Sequence, residues 1–206
     1  IQSGFLSEYG LMLGSAMEMP LLFYGLNRRL NEQTETRARA RALAVTDPLT
    51  GLTSHRRLLT QLQASINRAR NGRPFALMVV ELANHAALAR ELGREGAERA
   101  LVLAASRLRR VVRDTDTVAR VGAQHFAVLM DSPCSLDEAN AMATHAVAQG
   151  LRENEVLPPG VSLRFHVALG QLPMVDLDAE TTLDMLLAEL KSISLDARKT
   201  IRVVKR

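Results

Sequence analysis

Asp47-Pro48-Leu49-Thr50-Gly51-Leu52 and, farther along, Arg120-Val121-Gly122-Ala123-Gln124-His125-Phe126 are the stretches on which the reading of this chain turns. From Asp47 onward, helix and strand signals alternate to the end of the sequence. His55 to Asn71 has the spacing of an amphipathic helix. Arg73 to Leu82 contains the apolar run Phe75-Ala76-Leu77-Met78-Val79-Val80, the mark of a strand covered on both faces. Glu98 to Arg113 reads as a second helix and Thr117 to Met130 as two strands folding over Gly122. Ser135 to Asn154 reads as a third helix, with Ser135 its N-cap. Beyond the turn at Pro158-Pro159-Gly160 come a strand from Val161 to Leu172, a helix from Thr181 to Leu195 and a strand from Thr200 to Val204. The fold class expected is α/β (α+β), with no internal repeat.

The two quoted blocks resemble those of the GGDEF domain of bacterial diguanylate cyclases. There the opening reads Asp-x-Leu-Thr-Gly-Leu and a signature hairpin reads Gly-Gly-(Asp/Glu)-Glu-Phe. The resemblance implies a central, mostly antiparallel sheet flanked by helices. Of the hairpin only Gly122 and Phe126 persist; Ala123, Gln124 and His125 depart from it.

The resemblance also singles out positions along the chain. The family's first strand ends in Asp-x-Asp-x-Phe-Lys, whose leading carboxylate holds magnesium and whose lysine binds triphosphate. Here that stretch is Glu81-Leu82-Ala83-Asn84-His85-Ala86, with Glu81 retained and Ala86 at the lysine. Counting from Gly93, the family's two guanine contacts fall on Ala89 and Glu98. The metal ligand and the residue assigned to activating the 3′-hydroxyl fall on Gln124 and His125. A C-terminal Ala-Lys phosphate contact falls around Ser194-Leu195, again without a cation. Phosphoryl transfer depends on positioning and on neutralising phosphate charge, and one electrostatic group is worth roughly 2.7–4 kcal/mol. The resemblance therefore implies a degenerate signature (Gly122, Ala123, Gln124, His125, Phe126) with no catalytic set, and Glu81 and Glu98 as remnants of a nucleotide site. No cofactor is expected, and magnesium only if the chain is a working cyclase after all.

Two readings of the remaining ligand types stay open. Glu81, His85 and His125 are types that hold transition metals, although their spacing matches no metal motif. Against this, His125 reads as a solvent-facing hairpin residue and Glu81 as a polar strand end. His55, His145 and His166 read as surface or satisfied positions.

Arg113-Asp114-Thr115-Asp116 resembles the family's Arg-x-x-Asp inhibitory site, with its spacing to the signature kept. Degenerate members that keep this motif can act as receptors for cyclic di-GMP. Arg113 can fork onto guanine O6 and N7 or a phosphate, while Asp116 accepts from guanine N1 and N2. Both residues also have plain roles: a cation in the last turn of a helix is favoured by its dipole, and an aspartate serves a turn. Arg109 and Arg110 either support the ligand or form a solvated face.

Composition narrows the partners. The chain has 206 residues, 3% aromatics, no Trp, one Cys and a formal charge of +4. So few aromatics argue against a base-stacking platform for nucleic acid polymers. The lone Cys134 excludes an internal disulfide. Tyr9 to Leu26 is apolar enough for a bilayer span, though Glu18 and Pro20 interrupt it and favour one helix of a bundle. Gly10-Leu11-Met12-Leu13-Gly14-Ser15 lets another helix approach. Arg28 and Arg29 place the rest of the chain in the cytoplasm, and Arg37, Arg39 and Arg41 extend the basic block. The segment resembles the last helix of bacterial seven-helix membrane sensor modules; a buried soluble helix is the alternative. Three regions result: 1–26 a membrane helix, 27–46 a signalling-helix linker, 47–206 the degenerate domain. The expectation is an inner-membrane protein with its domain in the cytoplasm, receiving or relaying cyclic di-GMP as a homodimer or paired with another GGDEF protein. The alternatives are an active diguanylate cyclase condensing two GTP, and an interaction module that binds no nucleotide.

Overall fold

The computed structural model describes residues 45–69, 74–131, 134–172, 177–193 and 199–204, all within the unit Val45–Arg206. The expected membrane helix 1–26, the linker up to residue 44, the arginines from Arg28 to Arg41 and the Ser194-Leu195 position lie outside the described residues. Among the described residues no helix is long and apolar enough to cross a membrane.

The elements are β1 (Thr53–Ser54), α1 (His55–Ala69), β2 (Phe75–Leu82), α2 (His85–Val111), β3 (Thr117–Arg120), β4 (His125–Met130), α3 (Leu136–Leu151), β5 (Phe165–Leu172), α4 (Ala179–Lys191) and β6 (Ile201–Val204). The strands form one sheet in the order β1-β3-β4-β2-β5-β6. The inner pairs are antiparallel, and the edge strands β1 and β6 pair parallel to their neighbours. The expected mostly antiparallel sheet with flanking helices is present.

The apolar run becomes the central strand β2, buried at every residue but Glu81. Alternation sends Ala76, Met78, Val80 and Leu82 to one core, with Leu101, Ala104 and Leu108 of α2 and Ala139, Ala143 and Ala146 of α3. Phe75, Leu77 and Val79 face Leu58, Leu62 and Ile66 of α1 and Leu183, Leu186 and Leu190 of α4. Full burial of each such large side chain stabilises by roughly 1.5–3 kcal/mol, so these two layers fix the sheet.

Ser135 caps α3 as expected: its Oγ accepts from the Glu138 amide at 3.2 Å, and Glu138 Oε2 accepts from the Ser135 amide at 2.9 Å. Several boundaries differ from expectation: α3 ends at Leu151 instead of Asn154 and α4 at Lys191 instead of Leu195, and three elements start elsewhere. Helix α2 begins at His85, not Glu98, because it is two helical runs merged across Gly93 (φ 71°, ψ −177°). That glycine breaks the periodicity by which a helix is recognised in a sequence. Strand β5 begins at Phe165, not Val161. The amides of Val161, Leu163 and Arg164 bond to Pro158, Gly150 and the Asn84 side chain instead of a neighbouring strand. Helix α4 starts at Ala179, because Asp178 caps it by accepting from the Thr181 amide at 2.8 Å.

Candidate functional site

The end of β2 and the hairpin between β3 and β4 gather the first group of residues. Register places Glu81 opposite His125 on β4 and opposite His166 on β5. Directly opposed residues share a face of the sheet, so the three side chains lie together. Glu81 Oε1 accepts a hydrogen bond from Gln124 Nε2 at 2.6 Å. His125 Nε2 lies 3.7 Å from the same oxygen, and His166 Nδ1 lies 3.9 Å from Glu81 Oε2. His125 is therefore not the solvent-facing residue expected: its side chain is 25% exposed and beside a carboxylate. His166 is 3% exposed, a buried neighbour of Glu81 that no spacing in the sequence connects to it. Burial pushes both imidazoles below their ordinary pKa, only partly opposed by the Glu81 charge, and Lys191 pushes His125 the same way.

This donor set does not match a hard divalent cation. Magnesium seeks oxygen ligands in octahedral array, whereas Gln124 turns an amide donor toward the single carboxylate. The trio Glu81, His85 and His125, left open as an alternative, does not assemble as a metal site. His85 is held under the influence of Arg120, and burial followed by that guanidinium lowers its pKa. Among the described residues no group of three His, Cys, Asp or Glu side chains is arranged to hold a metal. Glu98 is engaged elsewhere, paired with Arg94 at 2.9 Å on α2, while Ala86 is exposed and Ala89 half-buried.

The opening block is tied to the hairpin. Asp47 Oδ2 accepts from the Thr50 amide at 2.9 Å and from the Thr50 hydroxyl at 2.7 Å, closing a turn that brings Gly51 to φ 66°. Arg120 donates to Asp47 Oδ2 at 3.3 Å, to the Gly122 carbonyl at 3.2 Å and to the Ala123 carbonyl at 2.8 Å. Burial raises the Asp47 pKa, but the Thr50 and Arg120 bonds together win, and the carboxyl sits below its ordinary value. A Cβ at Gly122 would stand 2.9 Å from His125 Nδ1, so a side chain there would require the imidazole to shift.

The second group lies at the turn after α2. The Arg113 amide donates to Asp116 Oδ2 at 3.0 Å, and the Asp116 amide donates to the Arg113 carbonyl at 3.0 Å. The Arg113 guanidinium reaches Glu138 Oε1 at 3.4 Å. Asp116 Oδ1 is buried without a hydrogen-bond partner among the described residues. Burial raises the Asp116 pKa, against the Arg113 amide and charge, which lower it. Arg109, Arg113 and Asp116 line a cleft of about 340 Å3 together with Gly51 and Leu52 of the opening block and Thr53 of β1. The two expected ligand-binding residues are thus together, and Arg109 joins them.

Comparison with known proteins places this geometry. The family model described as "Diguanylate cyclase, GGDEF domain" matches residues 44–185. Diguanylate cyclase DgcP of Pseudomonas aeruginosa is 32% identical over 91 residues, 44% of this chain and 14% of that protein. Probable diguanylate cyclase DgcC of Escherichia coli is 26% identical over 169 residues, 80% of this chain and 45% of that one. The chain spans less than half the length of either relative. Among solved structures, the GGDEF domain of DgcB from Caulobacter crescentus in complex with c-di-GMP has a TM-score of 0.68 at 15% identity, covering 78% of this chain and 95% of that one. Diguanylate cyclase SiaD in complex with its activator SiaC, from Pseudomonas aeruginosa, has a TM-score of 0.65 at 20% identity, covering 97% of this chain and 78% of that one. With the opening block, the sheet order and the family match all pointing one way, the chain belongs to the GGDEF domain family.

Proposed function

We propose that this chain is a membrane-associated bacterial signalling protein whose GGDEF domain has lost catalysis and receives or relays cyclic di-GMP through Arg113 and Asp116. The observation that carries the proposal is that Arg113 and Asp116 line one cleft and that Asp116 Oδ1, buried beneath it, has no hydrogen-bond partner among the described residues. A buried acceptor without a partner costs about 1–3 kcal/mol, which a ligand donor removes. Guanine supplies such donors at N1 and N2, and Arg113 matches its O6 and N7 edge. Engaging a ligand means releasing Glu138. Both partners of that 3.4 Å pair are about half exposed, 48% and 49%, so solvent screens it and its loss costs little.

The absence of cyclase activity is supported at the other end of the sheet. There Gln124 places an amide donor on Glu81 where the family places a second acidic metal ligand. No cation stands at Ala86, and Glu98 is paired with Arg94. The membrane helix 1–26, the linker 27–46 and a homodimeric or mixed pairing complete the proposal; they rest on sequence pattern. A protein of this kind sits in the inner membrane with its domain in the cytoplasm.

Two assays test it. Purified protein incubated with GTP and magnesium is expected to form no cyclic di-GMP; turnover overturns the loss of catalysis. Calorimetry with cyclic di-GMP is expected to show micromolar binding that Arg113→Ala abolishes. No binding by the parent leaves an interaction module that takes no nucleotide.

A further inference from the structure

The outer face of α2 carries a second cleft, of about 570 Å3, displaced from the Arg113 turn toward the C-terminal end of α3. Its floor is Arg107, 7% exposed, whose guanidinium donates to the carbonyls of Gly150 and Arg152 at 2.7 Å and of Glu153 at 3.3 Å. Those three bonds engage its terminal nitrogens but bring no negative charge. Two more guanidinium groups, Arg110 and Arg152, line the same cleft. Arg110 makes no hydrogen bond or ion pair among the described residues, and Arg152 reaches only the Gln149 amide oxygen, at 3.5 Å. Burial, then the charges of Arg152 and Arg110, lower the Arg107 pKa, so both neighbouring cations are close enough to repel Arg107.

The rest of the lining narrows what would neutralise them. Ser106 offers an exposed hydroxyl, and Leu103 and Val156 supply an apolar wall, Val156 being 51% exposed. Glu153 and Glu155 also line the cleft and pair with none of the three arginines among the described residues. Their charge disfavours an extended polyanion and leaves the arginines to a compact one.

We infer that this cleft binds a small organic phosphate, held between Arg110 and Arg152 with the Ser106 hydroxyl as a further donor and with its apolar portion on Leu103 and Val156. Guanidinium groups suit this role because their planar fork matches phosphate oxygens, and bonds between charged partners are about twice as strong as neutral ones. The site shares no residue with the Arg113–Asp116 pair, so it stands whether or not that pair binds a ligand.

Titrating the 206-residue chain with phenyl phosphate and with inorganic phosphate, while following arginine Nε–Hε resonances and heat, tests the inference. Saturable binding of phenyl phosphate is expected, several-fold tighter than that of inorganic phosphate. The double variant Arg110→Gln/Arg152→Gln should weaken it by about tenfold or more, as expected for losing charged donors to phosphate. Ser106→Ala should weaken it a few-fold, and Arg113→Gln should leave it unchanged. All the substituted side chains are exposed, so the variants should keep the parent's unfolding midpoint, and that measurement guards against misfolding. Failure to saturate, equal affinity in the folded double variant, or loss of binding in Arg113→Gln overturns the site. Equal affinity for the two phosphates overturns the role of the apolar wall.

Discussion

The hairpin end of the sheet and the turn after α2 make opposite use of their polar atoms. At the hairpin, Glu81 is engaged from within the protein by Gln124 and flanked by two imidazoles, the half-buried His125 and the buried His166. At the turn, Asp116 lines a cleft and keeps one buried oxygen without a partner among the described residues. The first arrangement satisfies itself and leaves little for a ligand to improve; the second stays incomplete until a donor arrives. What the family signature lost at one end therefore says nothing about the other, because the chemistry of the two ends is separable.

Arg120 is where the two ends meet. It holds the hairpin carbonyls of Gly122 and Ala123 and also Asp47, whose turn carries the Gly51–Thr53 wall of the Arg113 cleft. Arg120→Ala should give the largest stability loss of the changes considered, about 2–3 kcal/mol. It breaks a largely buried ion pair, with side chains 17% and 19% exposed, together with two bonds to carbonyls. Urea unfolding measures the loss, and hydrogen exchange at the Val121 and Gly122 amides, both bonded to the His125 carbonyl, locates it. A variant with unchanged stability would show that the ends are not joined through this side chain.

Gln124→Glu sharpens the contrast at the hairpin. Two carboxylates would then face each other where an amide now donates at 2.6 Å, and the variant should lose about 1–2 kcal/mol at neutral pH. The deficit should shrink on acidification, because like-charged neighbours raise one another's pKa and the shared proton restores a hydrogen bond. If magnesium restores the variant's stability but does not affect the parent, the amide is what keeps the dication out. Equal stability of variant and parent without metal would mean that the Glu81–Gln124 bond contributes nothing.

The fold was largely legible because its signals are local. The β2 run, the turn at Gly122 and the Ser135 cap with Glu138 three residues on each arise from residues close in sequence. The pairing of Arg113 with Asp116 was legible for the same reason, since a turn of four residues brings them together. What was hidden depends on register between distant strands. His166 meets Glu81 only because β5 pairs with β2 in one particular alignment, and a one-residue slip would send it to the other face. Arg120's bond to Asp47 likewise needs β3 to lie beside β1. The first half of α2 was missed for a different reason: Gly93 resets the helical phase, so neither half shows a full stripe.

The smallest effects expected are pH-dependent, and the two ends should respond with opposite sign. His125 and His166 are held below the ordinary 6.5, so between that value and their folded pKa the unfolded chain binds more protons. Their contribution is complete above pH 6.5 and is lost as pH falls through the lowered folded values. Asp116 is raised above the ordinary 3.8, so across its window the folded chain binds more protons and stability falls as pH rises. Neither slope can exceed about 1.4 kcal/mol per pH unit for one group. Unfolding midpoints measured from pH 8 to pH 4 separate them. His166→Leu should flatten the acid-side decline below pH 6.5. Asp116→Asn should be more stable than the parent at neutral pH, with the advantage shrinking toward pH 4. Identical profiles for parent and His166→Leu would place the acid sensitivity away from the Glu81 cluster. A neutral-pH loss in Asp116→Asn would mean that its bond to the Arg113 amide outweighs the burial of its carboxylate.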